Sequence, residues 1–370
     1  MSALFTPFQL RSVSLPNRIV ISPMCQYSAE DGRATSWHMI HLGNLALSGA
    51  AALIIEATAV EADGRITPGC LGLWDDACEA ALRPAVTAIR RHSNIGLMIQ
   101  IAHAGRKGSS EAPWKGGQLI ALEDGGWVPW APSAIEHKQG ERAPRALDAA
   151  GLRRVRDAFA ATARRAARLG LDGIEVHSAH GYLLHEFLSP IANRRTDEYG
   201  GSLENRMRFP LAVFDAVRAE FPADKPVGVK VSVTDWVDGG WDLEQTIAYA
   251  RELKKRGADW IDASSGGVSP QQKIPLGPGY QVPFAQAIKQ ATGMNTIAVG
   301  LITEPRQAEE IVASGKADLV ALARGMLYDP RWGWHAAAEL GGDVEAPPQY
   351  WRAPPHGLAK VFKNTVFGMR

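Results

Sequence analysis

The sequence predicts an α/β protein folded as a (β/α)8 TIM barrel, with a long loop after the third strand and a C-terminal extension. Eight short apolar or β-branched segments alternate with longer amphipathic segments along the 370 residues. Each short segment is continuously apolar, as expected of a parallel strand that is buried on both faces. An open doubly wound sheet usually carries a glycine-rich nucleotide turn, but neither G-x-G-x-x-G after a strand nor G-x-x-x-x-G-K-[ST] occurs. We therefore predict a closed barrel.

The strands and helices alternate in a regular order. Strands are predicted over 19–22, 52–57, 97–102, 173–177, 227–232, 260–264, 296–299 and 319–322. Helices between them are predicted, for example, over 149–169, 203–220, 243–256 and 305–313. Three helical segments are followed by Gly170, Gly257 and Gly315, and a glycine with positive φ commonly ends a helix.

Two segments fall outside this strand–helix pattern. Residues 103–148 are rich in tryptophan and proline and show little periodicity, which is typical of a long functional loop, so we predict an active-site loop here. Residues 341–370 are rich in proline and aromatic residues and are predicted to extend outside the barrel. Since no linker or change in composition divides the chain, we expect residues 1–370 to form one domain.

The composition argues against several classes of partner. The 40 basic and 39 acidic residues give a formal net charge of +1, which provides no strong field for nucleic acid or an anionic membrane. No apolar stretch approaches the roughly 18 residues of a membrane helix, and the N-terminus lacks the features of a signal peptide. The cysteines Cys25, Cys70 and Cys78 suggest neither a disulfide framework nor a metal site. We expect a cytoplasmic protein without a bound metal.

Candidate site residues stand at the predicted C-terminal ends of the strands, where barrel enzymes place their active sites. In chain order they are Ser22, Pro23, Met24, Cys25, Tyr27, Ala57, Gln100, His103, His177, His180, Tyr182, Lys230, Gly300, Ala323 and Arg324.

The fourth strand carries the candidates for chemistry. His177 and His180 could both donate hydrogen bonds to one oxygen that becomes negatively charged, with Tyr182 near enough to deliver a proton. A metal-dependent hydrolase is the alternative for clustered histidines, but it needs a carboxylate ligand. We predict that Glu175 lies out of phase with the inward face of its strand and is no such ligand.

Other strand ends predict a binding site for a flat ring and a phosphate. Gln100 and Lys230 offer an amide and a cation toward the barrel centre, as a heteroaromatic ring with a polar edge requires. Gly300 allows close approach of the backbone, and Arg324 provides a charged, bidentate donor for phosphate oxygens.

Two of these residues have an alternative interpretation. Arg324 could instead form a structural ion pair with Asp318 or Asp329. Lys230 could instead form a Schiff base, as in barrel aldolases, because its neighbours look apolar enough to depress the pKa of its amine. A Schiff-base mechanism would leave Tyr182 and the predicted phosphate site without a shared role. We therefore rank this interpretation of Lys230 second. A non-catalytic ligand-binding barrel is a third alternative.

The motifs at these positions resemble the Old Yellow Enzyme family of FMN-dependent ene-reductases, over most of the chain. The most specific motif is N-R-R-T-D-E-Y-G-G-S-L-E-N-R at 193–206. The segments S-P-M-C-Q-Y at 22–27, Q-I-A-H-A-G-R at 100–106 and H-S-A-H-G-Y at 177–182 are also similar to this family. The segment at 22–27 resembles the corresponding motif of the thermophilic-like branch of the family, which includes xenobiotic reductases.

The resemblance implies a flavoenzyme in which NADPH or NADH reduces FMN, and the flavin then reduces an activated alkene. It implies that His177 and His180 hold the carbonyl or nitro oxygen of the substrate, that Tyr182 protonates the α-carbon and that Tyr27 contacts the substrate. The residues implied to bind FMN are Ser22, Pro23, Met24, Cys25, Ala57, Gln100, Lys230, Gly300, Ala323 and Arg324.

The sequence departs from this family at two positions. Lys230 stands where the family usually has arginine beside the flavin, so the positive charge is kept and the bidentate fork is lost. Ala323 replaces a common glycine before Arg324.

The tail segment Q-Y-W-R at 349–352 resembles the part of this branch that reaches into a neighbouring subunit. The resemblance implies a homodimer or homotetramer in which Trp351 or Arg352 completes the partner's substrate pocket. The alternative is a tail packed on its own barrel.

Overall fold

The computed structural model describes residues 2–366 and places a closed barrel of parallel strands at the centre of the molecule. The strands are β1 (Phe8–Leu10), β2 (Val13–Leu15), β3 (Ile19–Ile21), β4 (Ala52–Ala59), β5 (Gly96–Ala102), β6 (Trp130–Ala131), β7 (Arg145–Ala146), β8 (Gly173–Ser178), β9 (Val227–Ser232), β10 (Trp260–Ser264), β11 (Asn295–Ala298) and β12 (Leu319–Leu322). The barrel order is β3-β4-β5-β8-β9-β10-β11-β12, and β12 pairs with β3 to close it. The predicted TIM barrel is confirmed.

Helices follow most barrel strands and form the outer layer. They are α1 (Ser36–Ala46), α2 (Asp76–His92), α3 (Ala149–Arg168), α4 (Leu183–Leu188), α5 (Leu203–Glu220), α6 (Leu243–Lys255), α7 (Val282–Thr292), α8 (Pro305–Ala313), α9 (Arg324–Tyr328) and α10 (Trp332–Leu340). Within residues 2–366, none of them has the length and apolar character needed to cross a membrane.

Local sequence signals explain where several helices begin and end. Asp148 accepts a hydrogen bond from the backbone N–H of Gly151 at 2.7 Å and so caps the start of α3. At the other ends, Gly170, Gly257 and Gly315 have φ values of +75°, +86° and +72°, as predicted for the residues that end α3, α6 and α8.

The N-terminal hairpin β1–β2, which the sequence pattern did not reveal, covers the bottom of the barrel. Leu10 and Leu15 are buried against Val20, Ile54 and Trp260 from the lower ends of barrel strands. The hairpin therefore seals the end of the barrel opposite the active-site mouth.

The long loop and the C-terminal extension lie at different places on the barrel. Residues 103–148 form short 3₁₀ turns and the small β6–β7 pair, and they cover the C-terminal ends of the strands. Val344 pairs with Phe362, and both pack with Trp334 on the outside of the barrel. The last residues of the predicted extension, 367–370, lie outside the described residues.

Candidate active site at the barrel mouth

The three residues predicted to carry the chemistry lie together at the C-terminal end of β8. The His177 ring centroid is 5.2 Å from that of His180 and 4.9 Å from that of Tyr182, and both contacts are edge-on. His180 adopts a positive φ of +59° and Gly181 follows at +71°, so the chain turns sharply between the two histidines and the tyrosine. This turn brings all three rings to the same side of the mouth.

A second loop fixes this turn by close backbone packing. Gly267, which follows β10, has φ +94°, and a Cβ built on it would lie 2.5 Å from the Cα of His180. A Cβ on Gly181 would in turn lie 2.2 Å from the carbonyl oxygen of Gly267. The two loops approach this closely only because both positions are glycine.

Both histidines are neutral at physiological pH. Burial, then the neighbouring His180 and Lys230, holds the pKa of His177 well below its usual value, and burial with Lys230 and Lys107 does the same to the pKa of His180. The backbone N–H of Ala179 donates to Nδ1 of His177 at 3.2 Å. The proton of His177 is therefore on Nε2, which leaves that nitrogen as a donor toward the mouth.

Ser264, at the end of β10, controls the second histidine. Its Oγ lies 2.7 Å from Nε2 of His180, which leaves Nδ1 as the free ring nitrogen. A neutral His180 donates from Nδ1 only if the hydroxyl of Ser264 donates to Nε2. Ser264 Oγ also lies 3.5 Å from Oε1 of Gln281, and it contacts the ring nitrogen on which the tautomer of His180 depends.

Tyr182 keeps its phenolic proton and lies beside a buried ammonium group. Burial raises the pKa of Tyr182 well above its usual value. Nζ of Lys107 lies 5.1 Å from the Tyr182 ring centroid and donates to the carbonyl oxygens of His180 and Gly267, at 3.0 and 3.2 Å. Lys107 therefore ties the turn at His180 to the loop packed against it.

Lys230 is buried in the barrel centre, but its environment is not apolar as the sequence suggested. Its Nζ lies 2.5 Å from Oδ2 of Asp262 on the neighbouring strand β10. Burial alone would lower the pKa of Lys230, but Asp262 and Glu175 outweigh it and raise that pKa. The expected depressed pKa was wrong, and a permanently protonated amine is a poor Schiff-base nucleophile.

Gln100 is held from below by Glu175. Nε2 of Gln100 donates to Oε1 of Glu175 at 2.8 Å, and the indole N–H of Trp260 donates to Oε2 at 3.2 Å. Since Trp260 belongs to β10, two strands away from β8, the contact crosses the barrel interior. The prediction that Glu175 lies out of phase with the inward face was wrong, because Glu175 and His177 are two residues apart in one strand and share a face.

The loop after the first barrel strand lies at the other side of the mouth. Ser22 is buried, and its Oγ has no hydrogen-bond partner among residues 2–366. Burial raises the pKa of Cys25 well above its usual value, so its thiol is protonated there. The Tyr27 ring meets Trp114 of the long loop edge-on at 5.6 Å.

A few polar groups lie at the ends of the last two barrel strands, among them the guanidinium of Arg324. Gly300 has φ +120°, and Gln281 lies beneath it, where its Nε2 donates to the carbonyl oxygen of Val299. Arg324 is exposed, and its side chain makes no ion pair or hydrogen bond among the described residues.

The two carboxylates considered as partners of Arg324 are occupied elsewhere. Asp318 pairs with Lys289 at 2.9 Å, and Asp329 pairs with His335 at 2.6 Å. The alternative of a structural ion pair for Arg324 was therefore wrong.

These features fit a flavin mononucleotide, the cofactor implied by the sequence motifs. The unpartnered Ser22 hydroxyl and the buried side chains of Gln100 and Lys230 provide polar atoms for the edge of the ring system. At the other end, the left-handed Gly300 and the unpaired Arg324 suit a phosphate group. Ala57, near the end of β4, and Ala323, directly after β12, have small side chains that leave room on either side of β3.

The tail residues lie away from the mouth of their own barrel. Trp351 donates from Nε1 to the carbonyl oxygen of Ala346 at 3.0 Å and packs near Trp334. Trp334 in turn packs on Gly49, just before the N-terminal end of β4, which is the opposite end of the barrel from His177. Arg352 is exposed.

Three residues that surround the predicted site were not identified from the sequence, and a fourth was misplaced. Ser264 is the last residue of β10, so the strand-end rule that identified the other candidates would have found it, whereas Asp262 lies in the middle of that strand. Lys107 lies in an irregular loop and carries no sequence signal. Glu175 was recognised and assigned to the wrong face.

Comparison with known proteins places the chain in a family. The sequence profile of the NADH:flavin oxidoreductase / NADH oxidase family matches residues 3–341. The chain is 46% identical over 352 residues to an NADPH dehydrogenase of Geobacillus sp. (strain WCH70), covering 94% of this chain and 98% of that one.

Solved structures agree with this match. Morphinone reductase superposes with a TM-score of 0.75 at 30% identity, covering 94% of this chain and 91% of that one. 2-Naphthoyl-CoA reductase has a TM-score of 0.82 at 24% identity, a likeness of fold only, and the chain spans 54% of its length. The chain therefore belongs to the NADH:flavin oxidoreductase / NADH oxidase family, the Old Yellow Enzyme family that its motifs resemble.

Proposed function

We propose that this FMN-dependent oxidoreductase is an ene-reductase, which reduces the activated C=C bonds of α,β-unsaturated carbonyl and nitro compounds in a ping-pong reaction. The observation that carries the proposal is the cluster of His177, His180 and Tyr182 beside the buried pair Gln100 and Lys230. Relatives named NADPH dehydrogenase support NADPH as the reductant, with NADH as the alternative.

The proposed FMN site uses residues from both sides of the mouth. When bound, FMN would accept a hydride from the nicotinamide and pass it to the β-carbon of the alkene. Gln100 and Lys230 would contact the polar edge of the ring, and Gly300 and Arg324 would hold the phosphate. Ser22, Pro23, Met24, Cys25, Ala57 and Ala323 would line the remainder of the site.

The two histidines would hold the substrate oxygen. Transfer to the β-carbon moves negative charge onto the carbonyl or nitro oxygen, and preorganised N–H donors stabilise that charge. His177 is suited to donate from Nε2, and His180 would donate from Nδ1 when the hydroxyl of Ser264 donates to its Nε2. Tyr27 would contact the rest of the substrate.

Tyr182 would protonate the α-carbon. Its raised pKa keeps the phenol protonated before the reaction, and its ring lies in contact with His177, which positions the hydroxyl near the oxygen-binding group. The hydride and the proton would thus come from two different groups, the hydride from the cofactor and the proton from Tyr182.

We further propose a homodimer or homotetramer in which Trp351 or Arg352 completes the pocket of a neighbouring subunit. In support, Trp351 is packed at the opposite end of its own barrel from His177, and Arg352 next to it is exposed. Neither residue is placed to line its own site.

The proposal predicts that Tyr182→Phe separates the two half-reactions. We expect cofactor reduction by NADPH to be nearly unchanged, because Tyr182 takes no part in it. Reoxidation by cyclohexenone should slow by about 10²–10⁴-fold, the usual contribution of a positioned general acid. Anaerobic stopped-flow absorbance at the flavin band measures both rates.

Tyr199→Phe provides a matched control, since Tyr199 packs against Phe209 away from the mouth. It should leave both half-reactions unchanged. Equal slowing of both half-reactions by Tyr182→Phe would contradict the assigned role. A protein that purifies without flavin would contradict the proposed function as a whole.

A further inference from the structure

Two buried carboxyl groups lie directly below the polar side chains that face the proposed flavin ring. Glu175 accepts the hydrogen bond of Gln100 at 2.8 Å, and Asp262 accepts that of Lys230 at 2.5 Å. The backbone register agrees, since Gln100 pairs with Glu175 and Lys230 with Asp262 across neighbouring strands. Gln100 and Lys230 thus each have their own carboxyl partner on the neighbouring strand, within the layer of side chains inside the barrel.

The charges in this layer do not balance if both carboxyl groups are ionised. Glu175 and Asp262 are each 0% exposed, and Lys230 is the one cation among the described residues that acts on them closely. Two carboxylates with one ammonium would bury a net negative charge, which is costly at low dielectric. One carboxyl group therefore tends to hold a proton.

Contacts identify Glu175 as that group. Asp262 is paired with the ammonium of Lys230 at 2.5 Å, so these two groups compensate each other's charge. Glu175 has only neutral donors, the amide of Gln100 from β5 and the indole of Trp260 from β10, while Gly228 on β9 has no side chain. Oδ1 of Asp262 is buried without a partner among residues 2–366, which leaves a lone pair available on the ionised carboxylate.

The electrostatics agree with this geometry. Burial, with the like charge of Asp262, raises the pKa of Glu175 to about 7, against the opposing effect of Lys230. Small changes of charge above this layer are therefore enough to shift the proton.

We propose that Glu175, wherever it is ionised in the oxidised enzyme, takes up a proton when the cofactor beside Gln100 and Lys230 is reduced, and releases it on reoxidation. This inference rests on the proposed placement of FMN. A bound cofactor that accepted a hydride would gain two electrons and one proton, so the site would gain one negative charge. Glu175 gains one proton from solvent and cancels that charge, giving two electrons and two protons in all. On reoxidation the hydride leaves to the alkene, and the proton of Glu175 returns to solvent.

The test is the pH dependence of the cofactor midpoint potential in the holoenzyme. For a two-electron couple, each proton taken up contributes about 30 mV per pH unit. We expect a slope near 30 mV per pH unit at low pH that steepens toward about 60 mV per pH unit above about pH 7, where Glu175 is ionised before reduction. In Glu175→Gln the slope should stay near 30 mV per pH unit throughout.

Asp262→Asn provides a second, independent variant. Asp262 raises the pKa of Glu175, so its neutralisation should move the steepening to lower pH. Redox-difference infrared spectra should show a protonated carboxyl band in the wild type that is lost in Glu175→Gln. Thermal unfolding and flavin content check that each variant is folded and loaded.

The possible outcomes distinguish a failure of the Glu175 proposal from a failure of the proposed FMN site. Identical slopes in the wild type and Glu175→Gln at every pH would overturn proton uptake by Glu175. In that case Lys230→Met should still lower the absolute potential if the cofactor lies above Lys230. If neither the slope nor the absolute potential responds to any of these variants, the placement itself is wrong.

Discussion

Lys107 connects the turn at His180 and Gly181 to its surroundings through a single ammonium group. It donates to the carbonyl oxygens of His180 and Gly267 and lies over the Tyr182 ring. Burial lowers the pKa of Lys107 to about 8, although Glu186 acts to raise it. A phenol that loses its proton becomes negative, so a nearby cation favours the loss.

Lys107→Met should therefore slow alkene reduction on the order of tenfold, the range of a desolvated cation–π contact, while reduction by NADPH is unchanged. In the wild type, the cation is present below its pKa and is lost as pH rises through about 8, so alkene reduction should fall above that pH. Lys107→Arg should keep the rate and abolish this fall. The pH profile of single-turnover reoxidation measures all three, and an identical profile in Lys107→Met would contradict the role.

Substitution of Lys230 tests how much the proposed flavin site depends on the buried cation that pairs with Asp262. Lys230→Met should lower the midpoint potential by about 30–60 mV, the equivalent of one charged hydrogen bond of about 1.5–3 kcal/mol. Lys230→Arg, the residue usual in the family, should keep the potential close to that of the wild type. Equilibration with redox dyes measures the potential, and an unchanged potential in Lys230→Met would exclude contact with the cofactor.

At the scale of elements, the packing of β9 on β10 depends on a glycine. A Cβ on Gly228 would lie 2.0 Å from the indole carbons of Trp260, whose N–H holds Glu175. Gly228→Ala must displace the indole, and such overpacking costs roughly 1–3 kcal/mol. We expect a lower midpoint of thermal unfolding and weaker flavin retention.

Gly43→Ala is the matched control for this prediction. Gly43 lies in α1, and a Cβ there would meet no atom within 4 Å. The substitution should raise stability by up to about 1 kcal/mol, since alanine is the better helix former. If both variants shift the unfolding midpoint equally, the contact with Trp260 is not the cause.

The pattern of elements was largely predictable from the sequence, because buried parallel strands leave continuous apolar runs. Predicted bounds for 227–232, 260–264 and 319–322 match β9, β10 and β12. The β1–β2 and β6–β7 pairs were missed since two or three residues are too few to show a period.

Side-chain environments were less predictable than strands. The pKa of Lys230 depends on Asp262, which is 32 residues further along and meets it only through strand register. Glu175 could have been placed correctly, because the alternation of a strand puts it on the same face as His177.

At the scale of the whole molecule, the tail proposal predicts complementation between subunits. If Arg352 serves the partner's site, mixed dimers of Tyr182→Phe and Arg352→Ala chains contain one site with both native residues. Random mixing in equal amounts should then restore about a quarter of wild-type activity, since half of the dimers are mixed and half of their sites are intact.

The measurement is the activity of the two variants alone and after joint refolding or co-expression. Mixing with Glu310→Gln in place of Arg352→Ala controls for dilution, because Glu310 lies on the surface in an ion pair with Lys316. Activity no greater than the average of the separate variants would show that each site uses its own tail. If the tail completes the pocket of a neighbouring subunit, truncation of the chain after Ala346 should change the substrate kinetics.

Some of the proposed site residues lie on barrel strands and others lie in the 103–148 loop, and this difference affects how the substrate range can change. Glu175, Lys230 and Asp262 lie on strands of the closed barrel, whereas Trp114 reaches Tyr27 from the long loop. Under the proposed function, changes beyond Lys107 in that loop would reshape the entrance for new compounds, while the strand residues proposed to set the electron affinity stay fixed. Variation in what the enzyme accepts would then be uncoupled from variation in how strongly it holds electrons.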